Sequence, residues 1–348
     1  MNFRPEGSEV DQHPEPKSGP RRIAVVTPVL NDWPSFALLI GDLAAMFDAN
    51  SVVVSVIAVD DGSTDAWDWD AWDWAKAPAI EGGAVASIEV IRLGLNLGHQ
   101  RAIAIGLVEV AARSDIDAAL VMDSDGEDRP ADAEALLVEQ ARDPGSVLLA
   151  HRAERSESEP FKAWYFFYKL MFWLLTGRQI SFGNFSLLPH EAVRRLTRMP
   201  ELWNNLPAAI MRSRLSYRML PTRRGRRYTG RSKMAFVSLV THGLSAMSVY
   251  TDVIFVRVLI GAGAVAASTL VGIAVAIFIR LATQLAIPGW TTTAVGVLVI
   301  VLLQTVILVA AALFLLLASR SARPFVPLTD CEVFIERRER RDFIRNAQ

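Results

Sequence analysis

Two uncharged stretches near the C-terminus limit what this chain can fold into more than any other feature. Leu259 to Ile279 is 21 residues without a charge, closed by Arg257 and Arg280, and Ala294 to Ala318 is a further 25, mostly Val, Leu, Ile and Ala. A helix needs about 20 apolar residues to cross a bilayer core, and both runs are long enough. The link between them, Ala286-Ile-Pro-Gly-Trp-Thr-Thr-Thr293, carries turn residues and a Trp suited to the membrane interface. The pattern predicts a transmembrane hairpin over 254–319, with spans at about 256–280 and 294–318. A pair of buried core helices is the alternative, and the run lengths disfavour it.

An even number of spans leaves everything before and after the hairpin on one side. Nine basic residues and no acid lie between Arg212 and Lys233, and the tail after the second span holds Arg320, Arg323, Arg337, Arg338, Arg340, Arg341 and Arg345. The connecting loop has only Arg280 at its edge. The positive-inside bias then predicts a multi-pass protein of the cell inner (cytoplasmic) membrane, with the large domain and a 320–348 tail in the cytoplasm.

The remaining length, in a chain of 348 residues, suffices for one large domain. Formal net charge is -1, so the overall balance points to no polyanionic partner and none is expected among nucleic acids. One cysteine, Cys331, excludes an internal disulfide framework and a Cys-rich zinc site. Residues 1–22 are polar and rich in Pro and charge, without the apolar core of a signal peptide, and read as a disordered lead.

From residue 23 to about 150, strand-like and helix-like patterns alternate. Strands are predicted at 23–27, 52–59, 88–93, 118–122 and 147–150, and helices at 35–47, capped by Ser35 or Asn31, at 100–112 and at 131–140. Continuous apolar strands separated by helices imply an α/β domain, over 23–232, with a mainly parallel sheet covered on both faces. The Trp/Asp near-repeat from Ala66 to Ala75 reads as a local insertion at a helix start, with sugar contact as the alternative.

Ligands of such sheets sit beyond the carboxyl ends of the strands. Three acidic clusters fall there: Thr27-Pro-Val-Leu-Asn-Asp32, Val59-Asp-Asp-Gly-Ser-Thr-Asp65 and Val121-Met-Asp-Ser-Asp-Gly-Glu-Asp-Arg-Pro130. Carboxylates on that rim suit hydrogen bonding to a base or ribose, or holding a hard divalent cation against a diphosphate. Asp123 and Asp125 stand two apart, so on an extended segment they point the same way.

These clusters, in this order, together with Asn96-Leu-Gly-His-Gln-Arg-Ala102, Gly183-Asn-Phe-Ser-Leu-Leu188 and Arg227-Tyr-Thr-Gly-Arg-Ser-Lys233, resemble the family 2 glycosyltransferases. Within them the chain looks like the polyprenyl-phosphate branch, of the dolichol-phosphate mannose synthase and undecaprenyl-phosphate glucosyltransferase type, in which a C-terminal two-span hairpin is common. The resemblance runs from about residue 22 to 320 and implies a GT-A (Rossmann-like) catalytic domain. It implies a donor site of Pro28, Val29, Asp32, Asp61, Asp123 and Ser124, with Mg2+ or Mn2+ on Asp125; Glu127, where the family has a neutral amide, reads as a second metal ligand or as a shift in donor preference. It also implies phosphate contacts from Arg152, Arg155, Arg227, Arg231, Ser232 and Lys233, with Asp125, Arg152 and Arg231 central to catalysis. The family usually follows Asp-x-Asp with an apolar residue and Gln; Gly126 and Glu127 depart from this.

The reaction so implied is inverting, metal-dependent transfer of a sugar from a UDP-glucose- or GDP-mannose-type donor to a polyprenyl phosphate. A phosphate monoester is already largely anionic at pH 7 and needs no general base, unlike a sugar hydroxyl. Interfacial helices at 161–175, with eight aromatics, and 233–253 would bring the site to the lipid, and homo-oligomers are a family-level expectation. A non-catalytic nucleotide- or lipid-binding membrane protein is the reading from another class, and transfer to a different lipid acceptor a further one. A processive polysaccharide synthase is disfavoured, since no Gln-x-x-Arg-Trp segment is present.

Overall fold

The computed structural model describes residues 19–70, 83–152, 169–178, 182–229, 236–283 and 287–343. The predicted lead lies outside these residues except for its end, where Arg21 and Arg22 already belong to the first strand.

The strands predicted from apolar runs all form: β1 (Arg21–Val29), β2 (Val52–Asp60), β3 (Val85–Leu93), β4 (Ala118–Val121) and β5 (Val147–Arg152). Three more complete the sheet: β6 (Ser186–Pro189), β7 (Tyr217–Thr222) and β8 (Ile335–Asp342). The order is β7-β5-β6-β4-β1-β2-β3-β8. β4, β1, β2 and β3 run parallel, as do β5 and β7, while β6 and β8 are antiparallel to their neighbours.

Both faces of the sheet are buried. Helices α1 (Trp33–Met46) and α3 (Pro130–Gln140) cover one face through Phe36, Leu39, Leu43 and Leu136. Helix α2 (His99–Ala111), with α5 (His190–Leu196) and α6 (Leu206–Ser213), covers the other through Ile103, Leu107, Val193 and Ile210. A Cβ on Gly106 would lie 2.4 Å from Val26 Cγ1, so glycine sets how closely α2 approaches β1. Neither Ser35 nor Asn31 caps α1; Asp32 holds the cap position without a side-chain bond, and Pro34 opens the first turn.

Part of the Trp/Asp near-repeat, residues 66–70, is described, and it is not helical. Trp67 packs against Trp33 and Phe36 with centroids 5.3 Å away, and Trp69 donates from Nε1 to Glu339 at 2.8 Å. The segment thus ties α1 to β8.

After helix α4 (169–176) and helix α7 (Phe236–Ser248) come α8 (Thr251–Ala282) and α9 (Trp290–Ser321), long and apolar enough to cross a membrane. At about 1.5 Å per residue each spans roughly 48 Å, more than the hydrocarbon core of about 30 Å. They expose Ile260, Val271, Phe278, Ile307 and Phe314, side chains suited to lipid. Arg212 of α6 binds Asp252 at 2.8 Å and 3.1 Å, fastening the root of α8 to the sheet domain.

The expected C-terminal tail is a structural element. Past α9 the chain stacks Phe325 and Phe334 on Trp203, at 4.2 Å and 5.6 Å, turns through α10 (Pro327–Asp330), and enters the sheet as β8 beside β3. β8 reads Ile-Glu-Arg-Arg-Glu-Arg-Arg-Asp. An edge strand needs only backbone pairing on one side, and its charges discourage pairing on the other. Both ends of the α8–α9 pair are therefore tied back to the sheet domain.

Candidate active site

The loops after β1 and β2 are stitched together. Asn31, at φ +51°, donates from its backbone N–H to Ser63 Oγ at 2.9 Å, and its Oδ1 accepts from Thr64 N–H at 2.9 Å. Asp60 accepts from the Ser63 N–H at 2.8 Å. Gly62 has φ +75°, and a Cβ there would sit 2.7 Å from Asn96 N; only glycine fits this turn without strain.

Asp61 is buried and accepts from the N–H groups of Leu97, at 2.7 Å, and Gly98, at 3.0 Å and 3.1 Å. Burial, though opposed by these bonds, raises its pKa. These bonds fix the β3–α2 loop against Asp61. Pro28 and Val29 end β1, and Pro28 O accepts from Ser124 Oγ at 3.4 Å.

Beyond β4 the chain turns so that Asp128 accepts from the Asp123 N–H at 3.0 Å and Asp125 Oδ1 from the Glu127 N–H at 2.9 Å. Asp123 Oδ1 lies 3.3 Å from His99 Nε2. Asn184 Nδ2 is 3.0 Å from the same ring nitrogen, and Asn184 Oδ1 accepts from Gln100 Nε2 at 2.8 Å. Gln100 Oε1 in turn accepts from Leu206 N–H at 2.8 Å, where α6 starts. Burial, the largest influence, acts to lower the His99 pKa, but the Asp123 charge and hydrogen bond together with the charges of Asp128 and Asp61 outweigh it, so the net shift is upward. His99 and Asn184 thus join the site, although the motifs containing them carry no local sign of their meeting.

The chain after β7 crosses this rim as a strap, residues 223–229. Gly225 N–H donates to Glu127 O and Tyr228 N–H to Asp125 O, both at 2.8 Å. Arg227 pairs with Asp125 Oδ2 at 2.7 Å, and Arg224 grips both Glu127 oxygens at 2.7 Å and 3.0 Å. Tyr228 donates to Asp42 at 2.5 Å, and Thr229 reaches Asp32 at 3.1 Å and Ser35 at 2.6 Å. Gly126, at φ +86°, lies against the Tyr228 ring. Of the expected phosphate contacts, Arg227 therefore sits on the acidic rim itself. Arg152 ends β5, and Arg155, Arg231, Ser232 and Lys233 lie outside the described residues.

Burial, then the Asp123 charge, raises the Asp125 pKa, although Arg227 opposes this. Among the described residues no three His, Cys, Asp or Glu side chains converge on a metal position. Asp125 still suits a hard cation by donor type, since Mg2+ is commonly held by one or two carboxylates and completed by substrate phosphates.

No curated protein sequence matches the chain. Solved structures similar to it include glucosyl-3-phosphoglycerate synthase from Mycobacterium tuberculosis in complex with Mn2+, UDP-glucose and phosphoglyceric acid (15% identity, 67% of this chain and 80% of that one, TM-score 0.44). Another is described as a mycobacterial protein (14%, 67% and 74%, 0.46), and a third is residues 1–349 of S. aureus TarS (15%, 68% and 65%, 0.38). The sequence model described as glycosyl transferase family 2 matches residues 24–197, half of the chain, from β1 through the Asp-x-Asp loop to the end of α5. The α/β domain, of GT-A-like fold, is thus joined to two candidate membrane spans, and the chain belongs to glycosyl transferase family 2.

Proposed function

We propose that this glycosyltransferase moves a sugar, with inversion, from a nucleoside-diphosphate sugar to a polyprenyl phosphate at the cytoplasmic face of the inner membrane. The observation that carries the reading is the position of the basic strap. It lies on the acidic rim and is followed in sequence by α7 and the hairpin α8–α9, so one stretch of chain joins the donor side to the lipid side.

In this reading Pro28, Val29, Asp32 and Ser124 border the nucleoside, and Asp61 shapes the loop beside it. Asp123, steadied by His99, faces the ribose or diphosphate. Asp125 would hold Mg2+ or Mn2+, which supplies positive charge to the departing diphosphate. Glu127 is committed to Arg224 and serves to hold the strap rather than the metal. The strap arginines, with Arg152, Arg155, Arg231, Ser232 and Lys233, provide cationic and hydrogen-bonding partners for phosphates. The acceptor oxygen is anionic already, so these residues need only align it behind the anomeric carbon and shed water.

The test is a panel of nucleotide-sugars with radiolabelled sugar, incubated with membranes containing the protein and undecaprenyl phosphate. The expected result is a labelled lipid product with one donor, dependent on Mg2+ or Mn2+ and lost in Asp125→Asn. Donor binding without labelled lipid across the panel would instead support the non-catalytic reading.

A further inference from the structure

The strap and the Asp-x-Asp loop are built for each other. A Cβ on Gly225 would lie 2.1 Å from Gly126 O, and one on Gly126 would lie 2.8 Å from two Tyr228 ring carbons. Two glycines are therefore needed where the segments cross. Arg224 answers Glu127 as well, with a bidentate ion pair. The Gly126-Glu127 departure from the family pattern thus has its partner a hundred residues away, in Arg224, Gly225 and Tyr228.

Arg227 takes the position a metal would need. Its guanidinium lies 2.7 Å from Asp125 Oδ2, while Asp125 Oδ1 is engaged by the Glu127 N–H. A hard divalent cation binds carboxylate oxygen at about 2.1 Å. A guanidinium and a metal ion of the same sign, directed at one carboxylate oxygen, exclude each other sterically and electrostatically.

We propose that Arg227 is the resident cation of Asp125 in the metal-free enzyme and is exchanged for the divalent metal, whether the metal arrives alone or with the donor. The proposal rests on the glycosyltransferase reading above. Without metal, Arg227 neutralises the rim and the strap stays down. When metal and diphosphate bind, Arg227 leaves Asp125, and its charge becomes available to the diphosphate oxygens. The strap then records donor binding in a segment that leads directly toward the membrane.

The test uses full-length protein in detergent and Mn2+ alone, followed by electron paramagnetic resonance. Arg227→Gln is expected to bind Mn2+ about tenfold more tightly than the unaltered protein, within the usual range of coupling between competing ligands. Arg227→Lys, which keeps the charge, is expected to return most of the way to the weaker affinity. Equal affinity, within twofold, of Arg227→Gln and the unaltered protein would overturn the exchange. A second measurement needs no variant: saturating Mn2+ should speed tryptic cleavage after Arg224 and Arg227, and an unchanged rate also overturns it. Neither readout involves sugar transfer, so lipid product without metal exchange sinks only the exchange, and the reverse sinks only the acceptor reading.

Discussion

Replacing Gly126 with Ala tests how the strap is held. At φ +86° a Cβ meets the left-handed penalty of about 1–2 kcal/mol. It also lies 2.8 Å from the Tyr228 ring and 3.0 Å from Arg226 O, well inside ordinary contact, so the ring must move. Moving it breaks the Tyr228–Asp42 hydrogen bond, which is exposed and contributes about 0.5–1.5 kcal/mol. The docked strap then loses about 1.5–3.5 kcal/mol, a shift of roughly one to two and a half decades in the docking equilibrium. The assay is limited trypsin digestion of the full-length protein, with cleavage after Arg224, Arg226 and Arg227 followed by mass spectrometry. Cleavage should accelerate by at least tenfold, while the thermal transition of the sheet domain barely moves, since the strap opens locally. An unchanged cleavage rate would refute the argument that a glycine crossing holds the strap on the rim.

Other perturbations probe the scaffold and the network behind it. Gly106→Ala places a methyl 2.4 Å from Val26 Cγ1 and 3.2 Å from Val59, and should destabilise the domain by about 1–3 kcal/mol, seen as a lower Tm. Because the folded His99 ring keeps its proton to higher pH than the free side chain, its pairing with Asp123 stabilises fully below pH about 6.5 and is lost as pH rises through the folded value. Tm should therefore fall over that window, and His99→Gln should flatten the fall. A chain ending at Phe334 lacks β8, leaves β3 as a bare edge and deprives Trp69 of Glu339; it should show a lower Tm and self-association in size-exclusion chromatography.

Local pattern already identified much of this protein. The strands from β1 to β5 and the helices between them follow from runs and periods that any stretch carries by itself, and the structure shifts their ends by at most a few residues. The two long apolar helices α8 and α9 were legible because Leu259 to Ile279 and Ala294 to Ala318 have the length that a bilayer crossing needs. The acidic clusters could be placed because the carboxyl rim of a parallel sheet is a fixed location.

Tertiary structure decided the rest. β8 has no apolar alternation to betray it, because an edge strand is held by backbone bonds that every sequence can offer. The Trp/Asp repeat looked like a helix start, and its described residues, 66–70, instead pack Trp67 on Phe36, which is distant in sequence. His99 meets Asp123 and Asn184 only once three loops converge, and Arg227 reaches Asp125 only because Gly126 and Gly225 let two segments cross. Residue type and spacing carry the periodic elements and the acidic rim. Which cation stands on that rim depends on contacts across a hundred residues, which no local pattern encodes.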